Sequence, residues 1–258
     1  MSWRLLLVLL LLVAPAARGA SSDLDDFAYQ QRPGTLLPLQ AVFHDASGQD
    51  VPLSALLDGK PLILALVYFH CPNLCGIVRD DLFHALGQTG MYAGRDYTLI
   101  ALSIDPSETG ADAAAAKAED LSRYPAPGAA GAWHFLTGRA DSVRQVADAV
   151  GFRDRSDPAL QQFVHPAGIV FATPAGIVSS YLLGVGYQPA DIRLAVTRAD
   201  RGSVAEAALP VLLLCYHYDP ATGRYTLAIM KLLRLAAGIT VVTIGGTLFL
   251  AFRRGRRA

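Results

Sequence analysis

Cys71 and Cys75, in the run Val67-Tyr68-Phe69-His70-Cys71-Pro72-Asn73-Leu74-Cys75, are the residues of this chain best suited to chemistry. Two thiols four residues apart can hold a soft metal as thiolates, attack disulfides, or close a disulfide of their own. An apolar, strand-like run ends at Phe69. Pro72 then sits where the first turn of a helix tolerates proline, because that turn has no N–H partner to lose. Ile77, Val78, Leu82 and Leu86 follow at helical spacing. The expectation is a strand running into a helix, with Cys71 at the helix mouth and Cys75 one turn in on the same side. The positive end of the helix dipole favours the thiolate of both. On a helix, Cα atoms at i and i+4 lie roughly 6 Å apart, so the pair is also within disulfide range. So local a disulfide closes a tiny loop and stabilises little, which makes an inert structural bridge the weaker reading.

The elements around the pair alternate. Residues 40–43 and 51–53 flank a Gly-containing turn and read as a hairpin, after a polar, extended lead-in. Residues 54–61 read as a short helix or turn closed by glycine. Residues 62–68 and 97–104 are continuous apolar runs, the mark of strands buried on both faces. Helices are expected over 108–124, 141–150 and 189–198, a strand over 133–136, and a hairpin over 169–172 and 177–182. Strands alternating with helices imply a mixed α/β sheet with helices on its faces.

The ends of the chain suggest where the thiols work. Residues 1–19 read as a secretory signal, with Arg4 as the basic start, an apolar core, and Ala17-Arg18-Gly19 as a small-x-small cleavage site. An uncleaved N-terminal anchor is the alternative. Residues 235–252 form a second apolar run without charge, just long enough to cross a bilayer at about 1.5 Å per residue. Arg253, Arg254, Arg256 and Arg257 follow it. That cluster puts the C-terminus in the cytoplasm and the main domain outside, on the periplasmic face of a bacterial inner membrane. Net charge is zero, so nothing argues for nucleic acid. Three cysteines in an oxidising compartment leave no closed disulfide framework. In the run from Leu212 to Pro220, Cys215 and His217 fall on one face of a strand. They read as a buried thiol beside a histidine, or as an auxiliary metal or partner contact. His70 reads as a strand-end residue or a proton acceptor for the cysteines. Asp105 reads as a helix cap or a group orienting the site. His84, His134, Tyr68 and Trp133 read as ordinary helix, strand or core positions.

A thiol pair at the join of strand and helix in such a sheet resembles the thioredoxin fold. The runs from Tyr68 to Cys75 and Ser103-Ile104-Asp105-Pro106-Ser107-Glu108-Thr109, with His165 before the last hairpin, resemble the SCO/SenC copper-chaperone family. The resemblance implies copper, as Cu(I) or Cu(II), held by Cys71, Cys75 and His165. It implies delivery to the copper centre in subunit II of cytochrome c oxidase, with other periplasmic copper carriers or thiol reductants as further partners. Two thiolates and an imidazole satisfy trigonal Cu(I), whereas structural zinc would want a fourth protein ligand. Gly76 replaces the family's usual proline, Asn73 an often acidic residue, and the anchor lies at the C-terminus. The alternatives are a thiol-disulfide oxidoreductase with Cys71 and Cys75 as the catalytic redox pair, or a peroxiredoxin-like peroxidase. The latter leaves His165 without a task. The expected architecture is a thioredoxin-like mixed sheet flanked by helices, with an N-terminal hairpin, a C-terminal hairpin extension and one transmembrane helix. Its partition is 1–19 signal, 20–35 lead-in, 36–200 thioredoxin-like domain, 201–230 juxtamembrane hairpin, 231–252 membrane helix and 253–258 cytoplasmic tail.

Overall fold

The computed structural model describes residues 29–70, 74–157, 162–205, 218–219, 224–225, 236–240 and 242–246. The chain divides into two units, residues 1–207 and 208–258.

The first unit is built on two apolar strands. A hairpin comes first, with β1 (Val42–His44) and β2 (Asp50–Pro52) pairing Phe43 with Val51, as the turn residues between them foretell. A 3₁₀ turn (Leu53–Leu56) leads to β3 (Leu62–Val67), and every residue of that strand is buried. Helix α1 (Leu74–Gln88) follows, then β4 (Thr98–Ser103), also buried throughout. Next come α2 (Gly110–Arg123), the short α3 (Ala129–Ala132), β5 (Trp133–Leu136) and α4 (Ala140–Val150). The small hairpin β6 (Arg155–Asp157) and β7 (Gln162–Val164) precedes β8 (Gly168–Ala172), β9 (Val178–Leu183) and α5 (Pro189–Asp200). The sheet order is β5-β4-β3-β8-β9, with β3, β4 and β5 parallel and β8 and β9 antiparallel.

Alternation along β3 sends side chains to both faces. Ile63, Ala65 and Val67 share a core with Val78, Leu82 and Phe83 of α1 and with Ile192 and Val196 of α5. Leu62, Leu64 and Leu66 share the opposite core with Val143, Val146 and Val150 of α4 and with Phe43. Helix α4 ends at Gly151, whose φ of 67° is left-handed. A Cβ there would lie 1.9 Å from the Gln30 carbonyl oxygen, so only glycine fits. Gln30 in turn donates to the Gly151 carbonyl at 2.7 Å. Tyr29 is buried, so the polar lead-in already packs on the domain from that residue onward.

The β6–β7 hairpin was not expected. Its strands are three residues long, and the first reads Arg-Ser-Asp, with no apolar alternation to mark it. In the second unit, β10 (Tyr218–Asp219) and β11 (Arg224–Tyr225) pair Tyr218 with Tyr225, a short antiparallel pair within the 201–230 hairpin extension that was expected. The signal, Cys215, His217 and most of the expected membrane span lie outside the described residues. Among the described residues no helix is long and apolar enough to cross a membrane.

Helix α1 is tied to α2 by a buried pair. Arg79 donates from Nε to Asp120 Oδ2 at 2.9 Å and from Nη2 to Oδ1 at 3.0 Å, and the two side chains are 8% and 1% exposed. Burial pushes the Asp120 carboxyl above its ordinary value even with the guanidinium opposite. The pair therefore fixes geometry more than it adds net stability. Removing one partner strands a buried charge. Arg79→Ala should lower the unfolding free energy by about 3–5 kcal/mol in urea titration. Arg123→Ala, which breaks a half-exposed pair with Glu119, should cost less than about 1 kcal/mol.

Candidate metal centre

β3 and β4 end level with one another, Val67 opposite Ser103, at the carboxyl edge of the parallel strands. Ligand sites of open α/β sheets form at this edge. The segment leaving β3 carries Tyr68, Phe69, His70 and then Cys71. Cys71 lies outside the described residues, and Cys75 stands in the first turn of α1 with its side chain outside them. The expected passage from strand to helix is therefore observed, with Cys75 near the helix start.

His165 follows the β6–β7 hairpin and precedes β8. Its ring packs edge-on to Tyr68, with centroids 5.9 Å apart, and lies 5.8 Å from Phe152. Tyr68 also meets Phe163 of β7 at 5.7 Å. The fold thus brings His165 to the segment that opens into the C-x-x-x-C motif, although the two lie almost a hundred residues apart in sequence. His165 Nδ1 is 3.0 Å from the Pro166 carbonyl oxygen. A carbonyl can only accept, so Nδ1 carries the proton and the neutral ring keeps its lone pair on Nε2. A histidine oriented by a backbone carbonyl in this way is suited to ligate a soft or intermediate metal. Tyr68, read as core, is buried but also supports this ring.

Glu108, expected as the first residue of the helix over 108–124, lies instead in the loop between β4 and α2, which begins at Gly110. Its side chain is 3% exposed. Oε2 accepts from the Phe69 amide at 2.9 Å and the Ser103 hydroxyl at 2.5 Å. Oε1 accepts from the His70 amide at 2.7 Å and from His70 Nδ1 at 3.1 Å. The position of Glu108 at the carboxyl edge of a parallel strand was the available signal. His70 is more than a strand-end residue, since its Nε2 also lies 3.5 Å from Asp112 Oδ1. Asp105 neither caps α2 nor reaches the thiol segment among the described contacts. It accepts from the amide and hydroxyl of Ser107 at 2.8 and 2.6 Å in a local turn. The cap is Thr109, whose amide and hydroxyl both donate to Asp112 at 2.7 Å. These bonds hold the Asp112 carboxyl below its ordinary range.

His84, His134 and Trp133 stand apart from the site. His84 meets Gln88 one turn along α1, and His134 lies in β5, where burial lowers its imidazole pKa. Trp133 stacks on Phe83 at 4.5 Å and donates to the Tyr97 hydroxyl, whose own pKa burial pushes up to about 12. Among the described residues no three acidic, cysteine or histidine side chains form a metal cluster, and neither thiol of the motif is in that set.

A profile of SCO1/SenC proteins matches residues 40–198, which spans the whole sheet and both halves of the site. The chain belongs to the SCO1/SenC family. A candidate electron transfer protein from Aquifex aeolicus VF5 shares 25% identity, with a TM-score of 0.58 over 67% of this chain and 96% of that one. A candidate electron transport protein from the same organism shares 26%, with a TM-score of 0.54 over 67% of this chain and 100% of that one. ScoI of Arabidopsis thaliana, solved with copper bound, shares 17% and the fold, with a TM-score of 0.51 over 66% of this chain and 99% of that one. No curated protein sequence matches the chain. The fold is the mixed α/β sheet that the order of elements implied, thioredoxin-like as the resemblance implied.

Phe152 is fully buried between Tyr29 and the His165 ring. Phe152→Ala should cost about 3–5 kcal/mol of stability in urea titration. The ring resonances of His165 should broaden in the same variant, and unchanged signals would show that Phe152 does not hold the imidazole.

Proposed function

We propose that this chain is a membrane-anchored periplasmic copper chaperone that binds copper through Cys71, Cys75 and His165. Its recipient, on this reading, is the copper centre in subunit II of cytochrome c oxidase. The observation that carries the proposal is the approach of His165, with Nδ1 engaged and Nε2 left with the lone pair, to the segment that leads into Cys71. The donor set suits the metal: two thiolates and an imidazole are soft enough for Cu(I) and too few for closed structural zinc. Family membership and a relative solved with copper support the same reading. When bound, copper is cargo. Cys71 and Cys75 supply the thiolates, and the Pro166 carbonyl fixes the imidazole so that the ring need not reorient as the metal arrives or leaves.

The rival assignment, a thiol-disulfide oxidoreductase, needs both cysteines and can lose the histidine, because thiol exchange depends on thiolate fraction and access. His165→Ala separates the two. Copper affinity of the purified, reduced protein should fall by at least about tenfold, as for loss of a direct ligand against the smaller effect of supporting groups. Oxidase activity in membranes should then fail at low copper and recover in part as copper is added, because mass action offsets weaker binding. Full activity at the lowest copper would reject the chaperone assignment. X-ray absorption of the bound copper should show sulfur scattering, and Cys71→Ser should weaken binding.

The membrane placement is part of the same proposal and rests on an uncharged run followed by arginines. A reporter fused after Ala258 should be cytoplasmic and one fused after Arg201 periplasmic. A periplasmic C-terminal reporter would reject the C-terminal anchor.

A further inference from the structure

We propose that Glu108 is a positioning residue that holds residues 69 and 70, the segment leading into the thiol motif, while Tyr68 beside them packs on His165; the inference deepens the copper-binding reading and takes its functional meaning from it. The geometry begins where the sheet stops. The β3–β4 ladder ends at Val67 and Ser103, so Phe69 and His70 lie beyond its last rung. The carboxylate of Glu108 takes the place of further strand residues and accepts from both of their amides, at 2.9 and 2.7 Å. The His70 amide is one residue before Cys71, so the grip fixes the approach of the chain to the first thiol. On the other side, Tyr68 packs against the His165 ring. The three residues 68–70 are thus held by His165 at one end and by Glu108 at the other.

The charge state and shape of Glu108 matter as well as its size. Four donors converge on two oxygens: the Phe69 amide and Ser103 hydroxyl on Oε2, the His70 amide and ring on Oε1. A carboxylate has about four acceptor directions, which these donors fill. Glutamine has nearly the same volume but only one acceptor oxygen. Its NH₂ would face donors, so at least one of the amides of residues 69 and 70 would lose its partner. Ser103→Ala removes a single donor and leaves the amide grip in place.

The test uses the full-length protein, reduced, with Glu108→Gln and Ser103→Ala as variants. Hydrogen exchange read by NMR should show the Phe69 and His70 amides protected in the wild type. In Glu108→Gln at least one should exchange about tenfold faster. Cu(I) affinity, measured by competition with a chromophoric chelator, should fall about 10–100-fold in Glu108→Gln, the usual size of losing a group that orients ligands. In Ser103→Ala it should fall less. A purely structural role would lower the unfolding midpoint and leave the affinity of the folded protein unchanged. Equal exchange or equal affinity in wild type and Glu108→Gln overturns the proposal. If Glu108→Gln does not fold, rapid exchange of both amides in the wild type overturns it, and protection together with the graded Ser103→Ala effect upholds it. If the wild type binds no copper, the chaperone reading fails, and the exchange measurements still decide whether Glu108 positions the segment.

Discussion

Everything at the site hangs from the last rung of the β3–β4 ladder, Val67 opposite Ser103. Parallel strands in register must end together, so both following loops emerge at one edge. One loop carries the thiol motif and the other carries Glu108. Neither loop could be placed by its own residues, because loops lack the apolar surface to fix themselves. The strands can fix them because all twelve residues of β3 and β4 are buried, six in each. At about 1.5–3 kcal/mol for each large apolar side chain buried, the central sheet is the least movable part of the molecule. The loops inherit that rigidity only through side chains that reach back to it.

Two kinds of interaction do the reaching. The Glu108 carboxylate is polar and directional, and it works at short range between adjacent loops. Beyond the Pro166 carbonyl at Nδ1, the support of His165 is aromatic. Its ring belongs to a series in which Tyr68, His165, Phe152, Tyr29 and Tyr181 lie 5.3–5.9 Å from one neighbour to the next. Such contacts add about 0.5–1.5 kcal/mol per pair beyond area burial and prefer particular tilts. They can orient an imidazole without competing for its nitrogens. The series also carries the packing of the site to Tyr29, the first of the described residues.

The parts of the fold that could be read from sequence are those with an unmistakable hydrophobic period. β3 and β4 are continuous apolar runs, β5 was placed to the residue, and α4 has a clean amphipathic face ended by Gly151. The thiol pair stands out in the sequence because two cysteines at this spacing after an apolar run have few structural uses. His165 was not legible from its neighbours. A lone histidine before a proline is an ordinary sight, and only the resemblance to a family singled it out. The β6–β7 hairpin that delivers it has strands too short and too mixed in polarity to announce themselves. Glu108 was hidden for another reason. An acidic residue in a polar loop looks solvated, and its burial becomes visible only once two loops are known to leave the sheet side by side.

A carrier of a metal ion faces opposed demands, since it must hold the ion and also release it to a partner. The exposures around the site divide along those lines. Glu108 is almost fully buried, whereas the His70 side chain that it binds is 68% exposed. The supporting group is thus shielded from water, where its hydrogen bonds keep their full strength. The segment that it supports, residues 69 and 70, carries an exposed histidine immediately before the motif. Precision therefore comes from beneath the site and access from above it. If copper instead sat inside the sheet, release would require breaking the core that burial of β3 and β4 makes so costly to open. Anchoring the segment after β3 by one carboxylate and one aromatic series, outside the sheet itself, separates the energy that holds the fold from the energy that shapes its edge.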